Sequence, residues 1–262
     1  MSEFDAIRRF AERYPRVGDD AAVLDDGLLA ATDAIVEGID FLRDAPRPEI
    51  GWRAVTVNVS DIAAMGGRTR SLLVAVIGPP ETDLGGLYAG IDEACAAYGC
   101  EVVGGDLSNG RELVVSVTAL GRCDAGVDPV LRSGASPGDW LWVSGPLGGA
   151  AASGYTARPH ARADLGPLLA ALGATSMIDV SDGLAQDLGH ICDASGVGVV
   201  LEAVPVAAGA TEEQALNGGD DYELLFTLPD GVDAPGCLRI GTVVEDIGAR
   251  PEAAGGWQHR FS

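Results

Sequence analysis

No lysine occurs anywhere in the 262-residue chain: its 17 basic residues are all arginine, set against 39 acidic ones. The absence removes the GxxxxGK[ST] phosphate loop, whose lysine reaches the terminal phosphates of a nucleotide. Positive charge is scarce altogether, and a net charge of -22 repels nucleic acid and anionic membrane surfaces, so neither is expected as a partner. Nothing approaches the roughly 18 uninterrupted apolar residues of a membrane span. The opening MSEFDAIRRFAERYPR is charged where a signal peptide is apolar, so a soluble, cytoplasmic protein is expected. Cysteine is sparse and odd in number, and Cys95, Cys100, Cys123, Cys192 and Cys237 show no CxxC or Cys/His spacing for zinc. Reduced, packed thiols are the expectation. His160, His190 and His259 each stand alone in the sequence, which predicts packing or surface roles rather than catalysis.

What is present is apolar bulk. At 47% hydrophobic residues the chain has enough to bury a large core, arranged as two units of ordinary size. The acidic, lysine-free composition reads as halophilic, an adaptation to a salt-rich cytosol where screening makes self-repulsion tolerable. In such a chain an Asp is ordinarily solvated surface, and only its context promotes it.

Along the chain, helical spacing of Phe4, Ile7, Phe10 and Tyr14 predicts a short helix ended by Pro15. Residues 49–66 predict a helix stopped by Gly66 and Gly67, 72–77 a buried strand, and 83–98 a helix ended at Gly99 with Tyr88 in the core. Strands are expected at 28–31, 101–103, 113–120 and 140–145, then a helix from Leu184, a strand over GVGVVL (196–201) and the run GGDDYELLFTL (218–228). The turn-rich LRSGASPGD (131–139) marks a boundary between two units, residues 1–133 and 134–262. Alternating strands and helices give an α/β (α+β) class.

The chemistry-bearing pattern is a set of Asp residues next to apolar segments and small residues: GDD (18–20), TD (32–33), NVSD (58–61), GGD (104–106) and DVSD (179–182). Any one fits a turn or cap, and Asp182 before GLAQDL suits an N-cap. Five together are hard to explain that way. Gathered carboxylates suit Mg²⁺, which takes oxygen ligands and shares them with water and phosphates. Beside a polyphosphate they are tenable only with bridging metals, since unit charges about 4 Å apart interact by roughly 4 kcal/mol at an effective dielectric near 20. Phosphoryl transfer from ATP is the reading.

GDDAAVL, TDAIVEGIDFL, NVSDIAAMGG, VVGGDLSNG, RSGASPGDWLWVSG, MIDVSDGLAQDLGHI and GGDDYELLFT resemble, in this order, the successive motifs of the thiamine-monophosphate kinase family, whose superfamily also contains aminoimidazole ribonucleotide synthetase and selenophosphate synthetase. The resemblance implies a homodimer of two-domain subunits with an aminoimidazole ribonucleotide synthetase-like fold, residues 1–133 being an ATP- and metal-binding, dimerising unit with a mixed sheet and helices and 134–262 a C-terminal α/β unit. It implies ATP and several Mg²⁺ ions, with a monovalent cation as a further candidate, and transfer of the γ-phosphoryl to thiamine monophosphate. Carried over motif by motif, Asp20, Thr32, Asp33, Asp61, Asp106, Asp179 and Asp182 would ligate metal, while Gly105, Asp106, Arg132 and Ser181 would contact ATP. No general base is assigned, because a phosphate acceptor has a low pKa of its own.

Asp40, Asp220, Trp257 and Phe261 would face the acceptor. Two of these depart from the family: Asp40 stands in VEGIDF where VEGVHF is common, and Asp220 in GGDDYEL where GGEDYEL is common. Gly149 in SGPLGGAAASG likewise replaces an Asp. A selenophosphate synthetase would want an N-terminal Cys and Lys, and an aminoimidazole ribonucleotide synthetase a Lys-containing DGxGTK where this chain has TDAIVEG. A metal-dependent phosphohydrolase and a non-catalytic nucleotide sensor are the rivals from other classes.

Overall fold

The computed structural model describes residues 16–251 together with Arg9, Arg13 and Tyr14. Apart from those three positions, the helix expected over residues 1–14 lies outside the described residues, as do Trp257, His259 and Phe261.

The first half runs β1 (Ala22–Val23), β2 (Leu28–Val36), α1 (Arg47–Ala64), β3 (Arg68–Gly78), α2 (Leu84–Tyr98), β4 (Glu101–Asn109) and β5 (Val114–Arg122). Among the described residues these strands form a five-stranded mixed sheet in the order β1-β2-β5-β3-β4, parallel only between β3 and β4. Alternation decides its faces: Leu72, Val74 and Val76 of β3 and Val115, Val117 and Ala119 of β5 point inward and are buried. The helices cover that side. Gly51 and Gly90 let α1 and α2 touch backbone to backbone, for a Cβ on Gly90 would lie 1.9 Å from the Pro48 carbonyl oxygen. The side chain of Asp83 caps α2 by accepting from the Gly86 N–H at 2.9 Å.

The second half runs β6 (Trp140–Val143), α3 (Gly149–Ala152), α4 (Leu165–Leu172), β7 (Ser176–Asp179), α5 (Leu184–Ser195), β8 (Gly198–Leu201), α6 (Glu212–Asn217), β9 (Leu224–Leu228) and β10 (Leu238–Val244). Its strands pair in the order β7-β9-β6-β10-β8, antiparallel throughout among the described residues. All five residues of β9 are buried, as a central strand covered on both faces requires.

Helix α1 joins the halves. It packs on β2 and β5 of the first sheet and on β7 of the second, which is why it is buried on nearly all sides rather than along one stripe. The segment after α3 straps the outside of this junction. Trp52 Nε1 donates to the Pro159 carbonyl at 2.7 Å, and the Arg158 guanidinium lies 4.6 Å from the Trp52 ring centroid while pairing with Glu49 and Glu93.

Three local expectations differ from the structure. Strand β2 continues past Ala31 to Val36, and β4 runs on to Asn109, so Thr32, Asp33, Gly105 and Asp106 lie inside strands rather than at their ends. Pairing with β5 and β3 supplies the hydrogen bonds that extend both. Gly183, not Asp182, is the N-cap of α5, because the Asp187 carboxylate reaches back to accept from the N–H groups of Asp182 and Gly183, both at 3.1 Å.

Candidate metal centre

At the junction, carboxylate oxygens of Asp20, Asp61 and Asp179 lie within 4.8 Å of one another. Each comes from a different element: Asp20 from the loop before β1, Asp61 from α1, Asp179 from the end of β7. The NVSD turn of α1 organises the group. Asn58 Oδ1 accepts from the Asp33 N–H at 3.0 Å, on the edge of β2 beyond its pairing with β1. Ser60 Oγ donates to Asp179 Oδ2 at 2.5 Å. Arg132 forks onto Asp20 through Nη2 at 2.9 Å and Nε at 3.4 Å, and its own N–H is held by Asp19 Oδ1 at 2.8 Å.

One guanidinium against this many carboxylates leaves excess negative charge. Burial, then the charges of Asp33, Asp179 and Asp20, pushes the Asp61 carboxyl well above the usual range. Burial, then Asp20, pushes Asp179 up to about 8. Clustered oxygens whose proton affinity is raised by desolvation and like charge are the donor set a hard divalent cation fits.

A second group adjoins it. Asp182, Asp187 and His190 place ligand atoms within 4.8 Å of one another, with Gln186 Nε2 donating to Asp182 Oδ2 at 2.6 Å. Burial, then Asp182, raises Asp187, while burial and then Arg132 lower His190. His190, solitary in the sequence, is thus not solitary in space; its i+3 spacing from Asp187 on a helix was the available signal.

Two expected ligands stand elsewhere. Thr32 pairs with Thr118 in register, their hydroxyls 3.0 Å apart, on the sheet face away from α1. Asp106, paired with Ala75 on exposed β4, accepts from Ser108 Oγ at 2.7 Å. Gly105 has a structural reason to be glycine, since a Cβ there would lie 1.8 Å from the Val74 carbonyl oxygen. The Ser181 carbonyl accepts from the Asp220 N–H at 2.8 Å. Asp40 Oδ2 accepts from the Val36 N–H at 2.7 Å, and Asp220 Oδ2 accepts from Arg53 Nη1 at 2.6 Å. Residues not assigned a site role from sequence, Asp19, Asn58, Ser60, Arg53 and Asp187, mostly hold or flank those that were; the quoted motifs gave a signal for all but Arg53, which lies outside them. His160 packs edge-on against Trp52 at 5.4 Å. All five cysteines are free, and no helix of the described residues is long and apolar enough to cross a membrane.

The AIR synthase related protein N-terminal domain family matches residues 18–123. Thiamine-monophosphate kinase of Methanopyrus kandleri is 36% identical, with 95% of this chain and 91% of the relative covered. The enzyme of that name from Halobacterium salinarum is 36% identical, covering 92% and 91%. A solved structure of AaThiL complexed with AMPPCP and TMP matches with a TM-score of 0.89 at 32% identity, over 99% of this chain and 97% of that one. The hydrogenase maturation protein HypE in complex with ATP shares the fold, with a TM-score of 0.70 at 22% identity, over 86% of this chain and 80% of that one. By its ordered motifs and by relatives similar over almost its whole length, the chain belongs to the thiamine-monophosphate kinase family.

Proposed function

We propose that the chain transfers the γ-phosphoryl group of ATP to thiamine monophosphate, giving thiamine diphosphate and ADP. The observation that carries this reading is the convergence of Asp20, Asp61 and Asp179 within 4.8 Å, in a family whose named members are thiamine-monophosphate kinases. An oxygen of the acceptor phosphate forms the new bond to the γ-phosphorus as the bond to the β-phosphate oxygen breaks and ADP leaves. The acceptor oxygen needs no strong base, so positioning and charge compensation are what the protein must provide.

Asp20, Asp33, Asp61, Asp179 and Asp182 would hold Mg²⁺, which when bound neutralises the polyphosphate and aligns the transferred group. Arg132 would meet the nucleotide from the fork it now offers to Asp20, with Gly105, Asp106 and Ser181 as the other expected contacts. The acting form is a homodimer. The sheet face away from α1 carries Leu73 and Ile77, 42% and 38% exposed, beside Ala75, Val114, Ser116 and Leu120. An apolar face that no helix of the described residues covers suits a second copy of the same face, and joining it would place the outward Thr32 and Asp106 at an interface. The free thiols and the absence of a membrane-spanning helix among the described residues suit a cytoplasmic setting.

The deciding experiment incubates the protein with ATP, Mg²⁺ and thiamine monophosphate across a KCl series, which also tests for a monovalent-cation requirement. Thiamine diphosphate and ADP in equal amounts are expected. Orthophosphate as the sole product would assign a phosphohydrolase instead, and stoichiometric ATP binding without turnover a sensor.

A further inference from the structure

Arg53 is a second arginine beside the site, and the resemblance assigns it nothing. It lies on α1 eight residues before Asp61, its side chain only 12% exposed. Nη1 donates to Asp220 Oδ2 at 2.6 Å and Nη2 to the Tyr155 carbonyl at 3.3 Å. A guanidinium has five N–H donors, so most of the fork carries no protein hydrogen bond. Asp220 is itself braced: its other oxygen accepts from the Tyr222 hydroxyl at 2.8 Å.

The backbone that presents Asp220 is strained. Asp220 and Tyr222 both have positive φ, 61° and 52°, a region that costs of order 1–3 kcal/mol for such residues and persists only where the surroundings enforce it. Here they do. The N–H groups of Asp220 and Tyr222 bind the carbonyls of Ser181 and Val180 at 2.8 and 2.9 Å, while Asp221 accepts from the N–H groups of Gly148 and Ala150 at the start of α3. The loop is therefore fastened to the strand end that carries Asp179 and Asp182. Tyr222 lies between the two regions, feeling Asp220, Arg53 and Asp179 together. Burial opposes the charge on Arg53, but Asp220, then Tyr222 and Asp40, keep it protonated.

We propose that Arg53 binds the phosphate of the acceptor, with Asp220 and Tyr222 as positioning residues that aim its guanidinium. The inference rests on the kinase reading above. A phosphate dianion entering beside Asp179 and Asp182 needs a cation on the acceptor side, and the kinase reading gives Arg132, on the Asp20 side, to the nucleotide. A planar fork with open donors matches phosphate oxygens in pairs. Asp220 and Asp40, the two departures from the family pattern, then act through Arg53 and not by touching the acceptor's rings.

The test is calorimetric titration of the full chain with thiamine monophosphate, unphosphorylated thiamine and ATP, using wild type, Arg53→Gln and Arg53→Lys. Arg53→Gln is expected to weaken thiamine monophosphate by about tenfold or more, as loss of charge-assisted hydrogen bonds implies, and to leave thiamine and ATP within about twofold. Arg53→Lys should recover only part of the loss, since an ammonium keeps the charge but not the planar fork. Equal binding of thiamine monophosphate by wild type and Arg53→Gln would overturn the role of Arg53 alone, as would equal weakening of all three ligands. A wild type that binds ATP but neither thiamine compound would overturn the acceptor reading itself.

Discussion

Asp61 is half-buried beside three other carboxylates and has no arginine of its own, which sets two expectations at the level of single residues. Asp61→Asn should lower turnover at or beyond the tenfold to hundredfold range typical of lost metal-site support, while the metal-free protein keeps or raises its thermal midpoint because a like-charge contact is gone. Steady-state kinetics and a melting curve check both; near-normal turnover would refute the ligand role. Asp179 sets the second. Its carboxyl is pushed up to about 8 in the folded state from an ordinary 3.8, so between those values the folded state binds the proton and the unfolded state does not. Stability of the metal-free protein should therefore fall as pH rises from about 4 through 8. The groups facing Asp179 are Asp20, Asp33, Asp61, Asp187, Tyr222 and Arg132, with Ser60 donating to it. Saturating Mg²⁺ or the Asp179→Asn change should flatten the curve, and a flat curve in the unaltered, metal-free protein would contradict the assignment.

Among the elements, α1 does most of the positioning, since Arg53, Asn58, Ser60 and Asp61 all project from it toward different partners. Its placement depends on the close crossing with α2. Gly90→Ala puts a methyl into the Pro48 carbonyl and should destabilise by about 1–3 kcal/mol, the usual range for overpacking, read as a lower urea midpoint with an unchanged slope. An unchanged midpoint would mean that the crossing is looser than drawn. This helix was legible in the sequence, because its apolar run ends at paired glycines and its polar residues sit in one recognisable motif. Strand β4 was legible only at its start. Gly104, Gly105 and Asp106 carry no strand pattern, and their extended conformation comes from pairing with β3, whose backbone approaches so closely that only glycine fits at 105.

For the whole molecule, the net charge of -22 and the sheet face that no helix of the described residues covers make separate demands on solution conditions. Screening should stabilise so acidic a chain, so the thermal midpoint should climb as KCl rises from about 0.1 M to several molar, over which the Debye length shrinks to a few ångströms. Independence from salt would remove the halophilic reading. Ile77→Asp, on the outward face of β3, should sediment as a monomer and lose activity if the face joins two copies; an unchanged sedimentation coefficient would place the interface elsewhere. The sequence by itself determined the chemistry available to this protein. Its lack of lysine excluded a phosphate loop, and its ordered Asp motifs named the carboxylates, because composition and motif spacing are properties of the chain alone. Tertiary structure decided which carboxylates meet. Asp20, Asp61 and Asp179 are far apart in sequence and converge only because α1 is wedged between two sheets, whereas Thr32 and Asp106 turn outward because strand pairing fixes which face each side chain takes. The same packing brought Arg53 to Asp220, a contact that depends on a fastened loop that no local pattern encodes, whereas His190 meets Asp187 through helix spacing the chain already carries.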